Sequence, residues 1–178
     1  MLAQRVPYAL IDAVEIEHAA YNEALLNVSE SPWPKRINVI EGDFIRLARE
    51  GGLRHYDLIV SNPPFYKADV LSPDAARAIA RHSGALGPGT LMCSSRGLLN
   101  PGGRLVFISP YNCKDDILVE AVLHGFNVAG MTNVFTVSNA SVPTRIIWVM
   151  TREAVPIVTE NLYLDSERYR EATLPFYL

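Results

Sequence analysis

Tyr56-Asp57-Leu58-Ile59-Val60-Ser61-Asn62-Pro63-Pro64-Phe65 is the stretch on which the reading of the fold turns. Its first six residues, with an apolar centre, read as a β-strand. The prolines then make a stiff corner: Pro64 restricts Pro63, and Pro63 restricts Asn62. Working upstream, residues 8–15 are apolar apart from Asp12 and the closing Glu15, as in a strand of a largely covered sheet. Residues 17–30 show helical spacing, with Ala20, Ala24, Leu25 and Val28 on one stripe, and Pro32 and Pro34 stop that helix. A second strand over 37–40 leads through Gly42-Asp43 into a short helix over 44–50, which breaks at Gly51-Gly52.

Downstream, a long loop over 63–89 is expected to hold one short helix over 74–80; loops of this length in compact domains usually carry function. A helix over 90–99 presents Leu91, Leu98 and Leu99 inward and stops at Asn100-Pro101-Gly102-Gly103. A strand over 104–109 and a helix over 114–123, capped by Gly125, follow. Residues 127–137, 144–151 and 155–162 read as strands, and 169–178 as a short element with an apolar end. Alternating strands and helices through residue 125 predict an α/β fold with a mostly parallel sheet covered on both faces. The later strands, without long helices between them, predict an antiparallel C-terminal edge.

The length of 178 residues fits a single domain, and the hydrophobic fraction of 49% is enough for a substantial core. A formal net charge of -3 excludes a wholly basic nucleic-acid-binding chain, though not a basic mouth on an acidic body. Cys93 and Cys113 have no close metal-ligand spacing, so they read as ordinary thiols in a reducing, cytoplasmic setting. There is no run of about 18 apolar residues, so the sequence predicts no membrane span. No triad of metal ligands is evident, and no metal is expected. Met1 to Arg5 reads as the last turn of a helix, broken by Pro7, rather than as a signal peptide or a polar tail.

In open parallel sheets, ligands bind beyond the carboxyl ends of the strands. Three predicted strand ends carry polar groups suited to one ligand. Glu15 can accept hydrogen bonds from the two hydroxyls of a ribose. Asp43 can accept from an adenine amino group while Phe44 stacks on the ring; equally, Asp43 can simply cap the helix over 44–50. Both hold if a backbone amide reads the base edge. At Asn62 the stiff corner fixes a carboxamide oxygen beside a backbone carbonyl, and Pro63 has no N–H to compete for them. An exocyclic amine held between two such acceptors turns its hydrogens into the corner and leaves its lone pair facing an electrophile. Phe65 offers a face for a planar ring, a contact worth about 1–3 kcal/mol in base stacking. The plainer alternative is a rigid turn plugged by an aromatic side chain.

These residues resemble the class I, S-adenosylmethionine-dependent amino-methyltransferases, whose signature is Asn-Pro-Pro followed by an aromatic residue. They are most similar to the bacterial tRNA1(Val) adenine-37 N6-methyltransferase family. The likeness runs through Ile11-Asp12-Ala13-Val14-Glu15, Ser31-Pro32-Trp33, Arg36-Ile37-Asn38-Val39, the corner extended to Tyr66, Ala80-Arg81-His82 and Phe176-Tyr177-Leu178. It implies a Rossmann-like sheet, S-adenosyl-L-methionine as cofactor, and tRNA, through an anticodon-loop adenine, as partner. Glu15, Asp43, Phe44 and Asn62 would hold the cofactor. Asn62, Pro63, Pro64 and Phe65 would form the catalytic corner, and Phe65, Tyr66, Lys67, Arg81 and His82 would engage the substrate. The alternative within the same chemistry is N-methylation of another planar amine: DNA adenine, another RNA base, or protein glutamine. A non-catalytic RNA-binding remnant is the alternative from another class.

The sequence departs from this family at its start. Such enzymes open with a strand and a glycine-rich loop, whereas Met1 to Gln4 corresponds to the end of the helix that follows them. The resemblance therefore implies an N-terminally truncated domain, impaired as a catalyst by itself. It also implies a gap between the strands that end at Glu15 and Asn62, where the family places its first strand.

Of the remaining polar residues, Lys67, Arg77, Arg81, Arg96 and Arg145 could line a positive mouth. His18 reads as decoration on a helix face, while His55 and His124 read as element ends. Trp33 reads as a cap over the sheet edge and Trp148 as core.

Overall fold

The computed structural model describes residues 1–63 and 86–176. The helix expected over 74–80 therefore lies outside the described residues. The chain forms two compact units, Met1–Gly52 and Leu53–Leu178.

The first unit contains α1 (Leu2–Arg5), β1 (Ile11–Glu15), α2 (His18–Glu30), β2 (Ile37–Glu41) and α3 (Phe44–Glu50). β1 and β2 pair in parallel, from Ile11 opposite Ile37 to Glu15 opposite Glu41. The strand starts three residues later than the apolar run suggests, with Tyr8 95% and Leu10 70% exposed. The reason is local. The Arg36 guanidinium collects the carbonyls of Ala3 at 2.6 Å, Val6 at 3.0 Å and Ala9 at 3.3 Å, which holds the approach to β1 in a turn. α2 begins one residue later than its spacing implies, because Glu17 is its N-cap. α3 ends as expected, at Gly51, whose φ of 76° is the left-handed cap conformation.

The second unit is built on a five-stranded sheet in the order β3-β4-β6-β5-β7. Its strands are β3 (Tyr56–Ser61), β4 (Leu99–Pro110), β5 (Asn127–Phe135), β6 (Arg145–Thr151) and β7 (Val158–Tyr163). Its helices are α4 (Pro88–Arg96), α5 (Lys114–Leu123) and α6 (Glu167–Thr173). β3 runs parallel to β4 and β5 parallel to β7, while β6 is antiparallel to both its neighbours, β4 and β5. The fold is thus α/β and mostly parallel, and β6 is the antiparallel strand of the C-terminal part. Among the described residues, β1 pairs only with β2 and β3 only with β4, so the strands leading to Glu15 and Asn62 lie in different sheets.

Period-two burial builds the core of the second unit. Leu105, Phe107 and Ser109 of β4 face inward, as do Ile146, Trp148 and Met150 of β6. Phe107 and Trp148 are register partners with ring centroids 6.4 Å apart. Trp148 is fully buried, and its indole Nε1 donates to Ser109 Oγ at 2.9 Å, so its polar edge is satisfied. Leu91 and Met92 of α4 and Ile117 and Ala121 of α5 complete the layer.

The largest displacement of an expected boundary lies between α4 and β4. α4 stops at Arg96, and Leu99 already belongs to β4, although Leu91, Leu98 and Leu99 are all buried as expected. The final element is α6 followed by a 3-10 turn over Leu174–Phe176, with Ser166 as N-cap accepting from Tyr169 N–H.

Candidate functional site at the strand ends

In the first unit, β1 and β2 deliver their carboxyl ends side by side. The Gly42 N–H donates to the Glu15 carbonyl at 2.8 Å, which locks the two ends together. Glu15 Oε1 accepts from the Glu17 N–H at 2.9 Å, so its carboxylate is held close to the entry of α2. Glu17 in turn caps α2 by accepting from Ala20 N at 2.7 Å. The amides of Ala20 and Ala19 hold the Glu17 carboxyl below its ordinary pKa.

Asp43 takes the N-cap of α3, with Oδ1 accepting from the Ile45 N–H at 2.9 Å. The capping reading of this residue is therefore correct. A carboxylate has further acceptor positions, so capping does not use up its capacity. Phe44, the first residue of α3, is half-buried.

An open recess of about 510 Å³ lies at this edge, lined by Ile16, Glu41, Gly42, Asp43 and Arg46. Its size falls within the range of small-molecule sites. Its lining suits a nucleoside. Ile16, 66% exposed, offers an apolar face, and the Asp43 carboxylate offers an acceptor for an amino group. Arg46 reaches Glu50 only at 3.9 Å, with both side chains more than half exposed, so that ion pair contributes little.

Glu15 and Phe44, singled out from the sequence, are not among the lining residues; Asp43 is, together with Ile16, Glu41 and Arg46, which the sequence reading did not single out. Each is one to three positions from a residue already identified, and Arg46 shares the first turn of α3 with Asp43. His18, taken as decoration, instead pairs through Nδ1 with Glu41 Oε1 at 2.8 Å. Its partner is 23 residues away, and no local spacing announces it.

In the second unit, β3 ends at Ser61. Just beyond it, Asn62 is exposed and Pro63 buried. Pro64, Phe65, Tyr66, Lys67, Arg77, Arg81 and His82 lie outside the described residues. His124 lies at the end of α5, as expected, and pairs with Glu120 at 3.2 Å. Among the described residues, no group of three or more His, Cys, Asp or Glu is placed to hold a metal, and no helix is long and apolar enough to cross a membrane.

Residues 1–139 match the family described as "Methyltransferase small domain". A Porphyromonas gingivalis protein named tRNA1(Val) (adenine(37)-N6)-methyltransferase is 34% identical, over 99% of this chain and 74% of the relative. A protein of the same name from Aeromonas salmonicida is 35% identical, over 100% of this chain and 76% of the relative.

The chain belongs to the methyltransferase small-domain family.

Members of this family use S-adenosylmethionine, and this chain is a methyltransferase by that membership. The fold agrees. The crystal structure of an Agrobacterium tumefaciens protein described as a predicted O-methyltransferase matches with a TM-score of 0.68. That match covers 93% of this chain and 76% of the other, at 17% identity. At that identity the likeness is one of architecture: a Rossmann-like methyltransferase sheet.

Proposed function

We propose that the protein transfers a methyl group from S-adenosylmethionine to the N6 amine of an adenine in tRNA. The observation that carries the proposal is an exposed Asn62 held on a buried proline at the carboxyl end of β3, in a chain whose curated relatives bear that activity in their names.

Glu15 takes the ribose hydroxyls of the cofactor, while Asp43 and Phe44 take its adenine. The bound cofactor supplies an electrophilic methyl on a sulfonium. Asn62 Oδ1 and the Pro63 carbonyl accept the two hydrogens of the target amine, which orients its lone pair outward. Attack forms the nitrogen–carbon bond as the carbon–sulfur bond breaks, and the product amine then releases one proton to water. This chemistry calls for orientation, acceptors and exclusion of water. It requires no metal and no covalent intermediate. Phe65 stacks on the base, Tyr66 walls the pocket, and Lys67, Arg81 and His82 contact the RNA. An anticodon-loop adenine leaves its stack at low cost because it is single-stranded.

The test is methyl transfer from radiolabelled S-adenosylmethionine to valine tRNA, to adenine-containing DNA and to glutamine-bearing protein, assayed in parallel. Label in the tRNA alone supports the proposal. Label only in DNA or protein would move the activity to another planar amine, and tRNA binding with no transfer to any acceptor would indicate a non-catalytic RNA-binding protein.

A further inference from the structure

Glu15 and Glu41 are register partners at the ends of two parallel strands, so their side chains leave the sheet on the same side. Two carboxylates so placed repel each other.

The structure gives the two carboxylates different partners. Glu15 is taken by the backbone amide of Glu17 at 2.9 Å. Glu41 is taken by His18 Nδ1 at 2.8 Å. His18 is itself fixed: Asn22 Nδ2 donates to its Nε2 at 3.0 Å, which leaves the ring proton on Nδ1, where it is donated to Glu41. Tyr21 stacks on the ring with centroids 6.4 Å apart. The bonds that hold Glu15 and His18 thus all come from the first two turns of α2 and the residue that caps it.

We infer that His18 is a positioning residue for cofactor binding: it steers the Glu41 carboxylate away from Glu15 and so keeps Glu15 available to the ribose hydroxyls. The inference rests on the reading of Glu15 as the ribose ligand. It does not depend on His18 touching the cofactor.

The probe is S-adenosylhomocysteine, which binds without reacting, titrated calorimetrically into the full chain and its variants. His18→Ala releases Glu41 and weakens binding by about three- to fivefold, the scale of one exposed side-chain hydrogen bond. Glu41→Gln binds as the wild type does. The double variant His18→Ala/Glu41→Gln also binds as the wild type does, because with the charge removed nothing needs steering. His18→Asn, whose carboxamide NH2 overlays Nδ1, retains most of the affinity.

Wild-type affinity in His18→Ala would overturn the inference. A double variant as weak as His18→Ala would also overturn it, since it would show that His18 matters only through packing of α2. If Glu15→Ala leaves the affinity unchanged while the wild type binds, the ribose reading fails and the inference with it. If the wild type does not bind the probe at all, cofactor use by this chain is overturned.

Discussion

At the residue scale, Asp43 has an observed structural task and, under the proposed function, a chemical one. Its Oδ1 caps α3 through the Ile45 amide. It also lines the recess, and the proposed function gives it the cofactor's adenine amine to accept from. Substitution separates the two tasks. Asp43→Ala loses both, costing about 1 kcal/mol of stability as well as cofactor affinity. Asp43→Asn keeps a capping oxygen and melts close to the wild type, yet binds S-adenosylhomocysteine several-fold more weakly. Thermal denaturation and calorimetric titration of the pair check this, and an Asn variant with unchanged affinity would assign Asp43 to the cap alone. The residues singled out from sequence, Glu15, Asp43 and Asn62, do stand at or just beyond strand ends, where the topology of a parallel sheet indicates where to look. His18, Glu41 and Arg46 were not legible. Their roles depend on which side chains meet across β1 and β2, and neither periodicity nor motif spacing encodes that.

At the element scale, the segment Asn100-Pro101-Gly102-Gly103 explains the largest boundary error. Its composition signals a stop, and it does turn, with Gly102 at a φ of 76°. The turn is nevertheless an interruption inside β4 rather than a gap before it. Tyr56 pairs with Leu99, and pairing resumes at Leu58 with Arg104, so four residues of β4 stand opposite the single Asp57 of β3, an excess of three between two rungs. Sequence reading placed Leu98 and Leu99 on the preceding helix because both are apolar and face inward. Burial was the correct inference, and the element was not. The bulge is tight: a Cβ at Gly103 would lie 2.8 Å from the Asn100 carbonyl oxygen and 3.0 Å from that of Tyr56. Neither backbone oxygen can yield cheaply. Gly103→Ala is therefore expected to cost about 1–3 kcal/mol, lowering Tm by roughly 2–4 °C per kcal/mol for a chain of this size. Gly97→Ala, where nothing lies within 4 Å of the added carbon, is the matched control and should leave Tm nearly unchanged.

At the scale of the whole molecule, the apolar core is unevenly shared. Among the described residues, Met1–Gly52 buries only Ala3 and Val39 as core side chains, whereas the sheet of the second unit buries Leu105, Phe107, Ile146, Trp148, Met150 and their helical partners. A unit with so little buried apolar surface opens more readily than its neighbour. Amide hydrogen exchange should show β4 and β6 exchanging only by global unfolding, with β1 and β2 exchanging orders of magnitude faster. Equal protection in the two units would contradict that ranking. Fold class was legible throughout, because strand–helix alternation survives errors of a few residues at each boundary. The position of β6 between β4 and β5 was not, since strand order depends on long-range pairing that local patterns leave open.

The central claim is that Asn62 holds an adenine amine for methylation by a bound S-adenosylmethionine. Its most direct test is mass-spectrometric analysis of nucleosides from valine tRNA incubated with the cofactor and either the wild type or Asn62→Ala. The account predicts N6-methyladenosine with the wild type and none with the variant, while the variant binds S-adenosylhomocysteine within a few fold of the wild type. N6-methyladenosine formed at an undiminished rate by Asn62→Ala would contradict it.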